Sequence, residues 1–311
     1  MKASVHFIVA VFLCLLAPQI VAHAQKDRAP HRNGMEWSRY EFPLYGEVDS
    51  IICRCFSVNP DTGKEYHEAS EDYVITFNKN GDVVYISLCI DEPDTDLIFP
   101  AERRFWYNDM GQNTAIDHVM DLGVGDLIYV TYYTYDPDNS RRLKGEIYDE
   151  DEKLTGIENY VYDNDGHLLK KEICSSDGEL SEEIIYDPHM NITQINEYFK
   201  GRLSGMTSNV YDECGRLLLS TVCTADPSDK MEIRHTDTYE YDERGCLVSK
   251  ERKMPLLVLL PGHQGLSSRE YTYRWEYESD LSGNIIKETY YSDSASIPWM
   301  IKYYIIVYLT K

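Results

Sequence analysis

The sequence predicts an all-β protein, an antiparallel meander of repeated β-hairpins that forms an open or curled extended sheet. Three observations carry that expectation. A tyrosine, an acidic residue, a few turn formers and a short apolar strand opener recur together five times, starting at Tyr162, Tyr186, Tyr211, Tyr241 and Tyr277. Successive tyrosines lie 24, 25, 30 and 36 residues apart, the period of a repeat array rather than of a single-core enzyme. Finally, aromatic and polar residues alternate with period 2 and no stretch keeps a helical period.

Taken in order, residues 1–24 read as an export signal. Lys2 provides the positive start, Val5 to Leu16 the apolar stretch, and Ala22-His23-Ala24 the cleavage site. The expected product leaves by the Sec pathway, to be periplasmic or secreted, with no transmembrane segment in the mature chain. Residues 25–150 form an N-terminal β region with divergent repeats. Within it Val48 to Val58, Tyr73 to Phe77 and Leu127 to Tyr135 read as strands, and Phe77 to Val83 as a divergent copy of the repeat turn. Asp91 to Gly111 reads as an acidic excursion and Asn113 to Leu122 as a short helix. Residues 151–311 carry the regular repeats and are continuous with the first region.

Each repeat places a glycine after a strand and a polar run, so Gly166, Gly215 and Gly245 are expected at turn positions that need positive φ. In the last full repeat Tyr271, Tyr273, Trp275 and Tyr277 alternate with Thr272, Arg274 and Glu276. All four rings therefore share one face of a strand. A stacked structural ladder and a sugar-stacking platform both remain open for that stripe. Between repeats, Leu256 to Leu260 is an aliphatic run bracketed by prolines, with His263 just beyond. It reads as a plug over the end of the sheet, or as a docking tip presenting Leu257, Leu259 and His263. The apolar run from Trp299 to Leu309 reads as a buried closing strand.

Composition removes several function classes. The chain holds 53 acidic and 30 basic residues; without Lys2 the balance is 29 − 53 = −24, which repels nucleic acid and anionic headgroups. Seven cysteines follow the signal, an odd number that imposes no disulfide framework. Cys53 and Cys55 share a strand face and are poorly placed to bond each other. His67 and Glu68 begin like a zinc-protease helix, but Glu71 stands where the second histidine must be. No nucleophile elbow, phosphate-binding glycine loop or paired-cysteine motif occurs. The chain is expected to be non-catalytic and to need no cofactor or metal.

The pattern Tyr-x-Tyr-Asp-x-x-Gly-x-Leu, met at Tyr160 to Leu168 and Tyr239 to Leu247, resembles the YD repeats of the RHS superfamily. With the region around Leu44 to Ile51 and the aromatic C-terminus, the chain looks like small exported repeat proteins of Gram-negative bacteria. The resemblance implies a meandering antiparallel sheet. It does not imply toxin encapsulation, because the motif that ends RHS shells and a following toxin domain are both missing. The function expected is an interaction or structural scaffold in the cell envelope, with an unknown protein or glycan partner. A carbohydrate-binding module that uses the aromatic stripe is the alternative, and a cell-envelope hydrolase the second.

Overall fold

The computed structural model describes residues 48–68, 72–92, 97–121, 126–138, 140–225, 230–257, 266–292 and 295–308. The signal segment, Leu259 and His263 lie outside them. Among the described residues every regular element is a β-strand. The first region holds β1 (Val48–Val58), β2 (Glu65–His67), β3 (Tyr73–Phe77), β4 (Val83–Glu92), β5 (Leu97–Tyr107), β6 (Asn113–Asp121), β7 (Asp126–Tyr135) and β8 (Arg142–Asp149). The repeats supply β9 (Leu154–Tyr162), β10 (Leu168–Ser175), β11 (Leu180–Tyr186), β12 (Ile192–Phe199), β13 (Arg202–Tyr211) and β14 (Leu217–Ala225). The chain closes with β15 (Met231–Tyr241), β16 (Leu247–Leu257), β17 (Leu266–Ser279), β18 (Ile285–Ser292) and β19 (Met300–Tyr308). Two local expectations are corrected here. The expected helix from Asn113 is β6, and most of the expected excursion from Asp91 is the end of β4 and all of β5. Alternation decided both: Ala115 and Asp117 face one way, Ile116 and His118 the other.

The larger correction concerns the sheet, which is neither open nor merely curled. From β3 to β19 each strand pairs antiparallel with the next, and β19 pairs with β1 from Val48↔Tyr308 to Ser57↔Met300. On its other side β1 meets β3 over Ser50–Cys53 and the short β2 over Phe56–Val58. The ring of β1 and β3–β19 is thus an 18-stranded antiparallel barrel. Closure removes both edges that an open sheet of this length would expose to aggregation. β-Bulges supply the curvature. In all eight hairpins from β3–β4 to β17–β18 that turn at one rim, the second residue of the returning strand is unpaired, as at Leu143, Leu169 and Leu218. Such a residue bends its strand and raises the local twist. It also turns those three leucines outward, where they are exposed.

That rim explains the repeat. In the β9–β10 turn, Asp163 N–H donates to the His167 carbonyl at 2.9 Å and Gly166 N–H to the Asp163 carbonyl at 3.2 Å. Asp163 Oδ1 accepts the His167 N–H at 2.8 Å. The same backbone pair recurs at Asn78, Asn108, Asp187, Asp212, Asp242 and Asp280, and at Asp136 with one added residue. A carboxylate or amide satisfies the N–H groups that a tight turn leaves without partners. The tyrosine ahead of five of these turns has its own role. Its hydroxyl donates to the carbonyl of the first residue after the preceding rim turn: Tyr107 to Val83, Tyr135 to Asn113, Tyr162 to Arg142, Tyr211 to Ile192 and Tyr241 to Leu217, all at 2.7–2.9 Å. Consecutive turns are thereby laced together. Three of these turns fall before residue 155, so the array spans the whole barrel. The last copy aligns on Asp280 rather than Glu278, and there Tyr308 of β19 supplies the hydroxyl, 2.6 Å from Asp280 Oδ2.

Gly166, Gly215 and Gly245 have φ of +90°, +77° and +84°, a region in which a β-carbon is strained. On the opposite rim the turn from Asp149 to Lys153 places the exposed Glu152 in the glycine position at φ +57°. Glu152→Gly is therefore expected to stabilise the barrel by roughly 0.5–1 kcal/mol. A thermal melt shows it as a higher midpoint, and an unchanged or lower one would count against strain at this turn.

The two walls differ in chemistry. On the more buried, concave face an apolar cluster lies below the tyrosine-laced rim, including Ile51, Phe77, Val83, Phe105, Ile116 and Ile285. The opposite face carries ion pairs both at mid-strand, Glu102–Arg104 at 3.0 Å, and near the rim, Lys144–Glu146 at 2.7 Å, Lys170–Glu183 at 3.1 Å and Lys287–Glu278 at 2.6 Å. Hence the outer wall is charged along its length, and the core is the inner wall.

Candidate functional site

A contiguous polar and aromatic patch of the inner wall lies on β15–β17. Period-2 alternation puts Asp237 and Tyr239 of β15 on one face, as it does Lys250 and Arg252 of β16 and Tyr271 to Tyr277 of β17. Strand register brings these sets into two rows. Asp237 stands beside Arg252, and Arg252 beside Tyr271. Tyr239 stands beside Lys250, and Lys250 beside Tyr273.

Asp237 is the anchor. Arg252 donates two bonds to its carboxylate, Nε to Oδ1 and a terminal nitrogen to Oδ2, both at 2.7 Å. Lys250 Nζ lies 2.9 Å from Oδ2 and His235 Nε2 3.9 Å from it. The Asp237 side chain is only 4% exposed, whereas those of Arg252 and Lys250 keep 32% and 21%. The carboxylate thus lies beneath two cations that reach solvent. Burial pushes Asp237 upward, but the Arg252 and Lys250 hydrogen bonds outweigh it and hold its pKa below the usual carboxylate range. Burial lowers Lys250 despite Asp237, while the bond to Asp237 raises Arg252. His235 is lowered by burial and by the Arg252 charge. Tyr239 is pushed up, beyond the range in which it ionises in ordinary buffers, by burial and by the Asp237 charge.

Tyr271, Tyr273, Trp275 and Tyr277 are half-buried on this inner wall, and Glu270, Thr272, Arg274, Glu276 and Glu278 between them are exposed outside. The rings continue into a ladder. Trp275 lies 6.3 Å from Tyr273 and 5.7 Å, edge-on, from Tyr290, which lies 6.0 Å from Trp299. Beyond the ladder Glu288 is 1% exposed and accepts the hydroxyls of Tyr290 at 2.5 Å and Tyr304 at 2.6 Å. Leu257 closes β16 opposite Leu266. The expected plug is therefore in part a strand extension, whose tip lies outside the described residues with Leu259 and His263.

Other inner-wall groups are spent on structure. Arg142 lies over the Tyr133 ring at 3.9 Å and near those of Tyr160 and Tyr135 at 5.5 and 5.7 Å, a cation held on aromatic faces. Glu182 and Glu197 stand directly opposite each other in register, and burial raises the Glu197 pKa. Outside the barrel interior, Asp163, Asp165 and His167 group their ligand atoms within 4.8 Å of one another at an exposed rim turn. No disulfide joins Cys53, Cys55, Cys174, Cys214, Cys223 and Cys246.

The aromatic stripe was legible as a strand face, but its cationic neighbours were not. Asp237 with Tyr239, and Lys250 with Arg252, each show period 2 in the sequence. Only the register of β15 on β16 reveals that the two pairs meet.

No protein-family model and no curated protein matches the chain. Among solved structures it superimposes on a porin-like protein from Bacteroides uniformis at 12% identity, covering 85% of this chain and 99% of that one, with a TM-score of 0.41. A porin-like protein from Bacteroides vulgatus gives 11% identity, coverage of 85% and 100%, and a TM-score of 0.32. The Tc holotoxin pore of Photorhabdus luminescens gives 14% identity, coverage of 77% and 16%, and a TM-score of 0.26. The chain spans about 15% of the first toxin-complex chains it matches. At such scores the architecture rests on strand pairing alone.

Proposed function

We propose that this protein is a non-catalytic, exported barrel of the cell envelope that acts as an interaction scaffold and engages a carbohydrate on the inner wall of β15–β17. The observation that carries the reading is the division of β17: Tyr271, Tyr273, Trp275 and Tyr277 face inward, half-buried beside Lys250 and Arg252, while charged residues face out. Stacked rings beside hydrogen-bonding side chains suit a sugar, which has apolar ring faces and polar edges. The Tyr–Asp turn, laced to its neighbour by the tyrosine hydroxyl, supports kinship with YD repeats of the RHS type.

A water-borne barrel is favoured over a membrane-spanning one. Each Lys or Arg on a lipid-facing wall costs roughly 2–4 kcal/mol at the bilayer midplane, and Arg104, Lys253 and Arg274 lie mid-strand on the outer wall. A glycan array probed with the mature protein tests the reading. Binding should weaken about three- to tenfold in Tyr273→Ala, the loss of roughly 0.5–1.5 kcal/mol of stacking. Silence across the array, or binding indifferent to Tyr273, would remove the proposal.

A further inference from the structure

The inner-wall patch also selects the charge of its ligand. We infer that it takes a saccharide bearing a single carboxylate, a uronic-acid unit, with the carboxylate on Arg252 and Lys250 and the ring against Tyr271 and Tyr273. This deepens the carbohydrate reading above and rests on it.

Charge count leads to this ligand. Asp237 is one buried carboxylate serving two full cations, Arg252 at 2.7 Å and Lys250 at 2.9 Å. The cluster therefore keeps one net positive charge, inside a chain whose balance is −23. A guanidinium has five N–H donors and an ammonium three, and Asp237 occupies two of the first and one of the second. The exposed portions of both side chains face the same interior as the tyrosine stripe. Held from below by Asp237, the two cations are fixed in place before a ligand arrives, so little ordering opposes binding. Arg252 offers a planar fork that suits a carboxylate. One residual positive charge matches a monoanion. A doubly charged phosphate would be left half-neutralised within an acidic protein, and a neutral sugar would leave the one surplus positive charge unmatched. The aromatic neighbours then supply what a bare carboxylate does not use, the stacking surface for a pyranose ring.

Isothermal titration calorimetry on the mature protein decides it, with two oligosaccharides of identical linkage that differ only in glucuronate against glucose. The acidic sugar is expected to bind about tenfold more tightly, and its advantage should shrink as sodium chloride is raised. Lys250→Gln leaves the Asp237–Arg252 pair in place and should narrow the gap between the two sugars, with the far-UV spectrum reporting that the variant is folded. Equal affinity for both sugars would overturn the charge selection while leaving carbohydrate binding intact. An acidic advantage that Lys250→Gln does not reduce in the folded protein would overturn the assignment to this cluster. Binding of neither sugar, with an empty glycan array, would dismiss the carbohydrate reading itself.

Discussion

A chain that stops at Pro298, and so lacks β19, is expected to lose its cooperative fold and to aggregate. β19 is paired on both sides, to β18 over Tyr290–Lys287 and to β1 over nearly its whole length. Its removal creates two edges and strips Tyr304 from the inner wall and Ile301 from the opposite face, which are 4% and 7% exposed. It also uncovers Ile51 and Cys53, which are 1% and 0% exposed. Each fully buried large apolar side chain contributes roughly 1.5–3 kcal/mol, and the loss of several rivals the 5–15 kcal/mol or so by which a typical domain is stable. The free edges of β1 and β18 then present unpaired backbone to other chains. Size-exclusion chromatography should show soluble aggregate or no recoverable monomer. A monomer with the full-length melting midpoint would mean that closure contributes nothing.

Asp237→Ala should cost about 3–5 kcal/mol, the usual consequence of removing one partner from a buried ion cluster. Arg252 and the partly desolvated Lys250 would then face each other with no carboxylate between them. The effect carries a pH signature. Because the folded-state pKa of Asp237 is depressed, its stabilisation is fully present above the unfolded value of about 3.9 and is lost as pH falls through the folded value. Urea denaturation should therefore separate wild type from variant widely at neutral pH, and the curves should converge below about pH 4. A gap that persists unchanged into acid would place the loss in packing rather than in the ion cluster.

Much of this was written locally. The Tyr–Asp turn names its own hydrogen bonds: aspartate for the free N–H groups, glycine for positive φ, tyrosine for the neighbouring carbonyl. Alternation in β17 fixed a strand with all its rings on one side. Where local chemistry was weaker, as in Asn113 to Asp121, the strand passed for a helix, because nine residues hold too few periods to discriminate. Asn108 and Asp136 start the same turn as the later repeats but lack the full spacing pattern, so only their hydrogen bonds reveal them.

The sequence by itself determined the strands and turns of the regular repeats and the strand face that the aromatics of β17 share, since these depend on contacts within a few residues. Only the tertiary structure decided that the sheet closes. The pairing of Val48 with Tyr308 joins residues 260 positions apart, and no local propensity reports a contact of that separation. The bulge beside each turn adds a small bend, and it is their sum around the ring that brings β19 to β1. Closure also gave the stripe its meaning. The same period-2 pattern fits an exposed platform or a buried ladder, and the concave side of the barrel is what set Tyr271 to Tyr277 inward, beside the cations of the neighbouring strand.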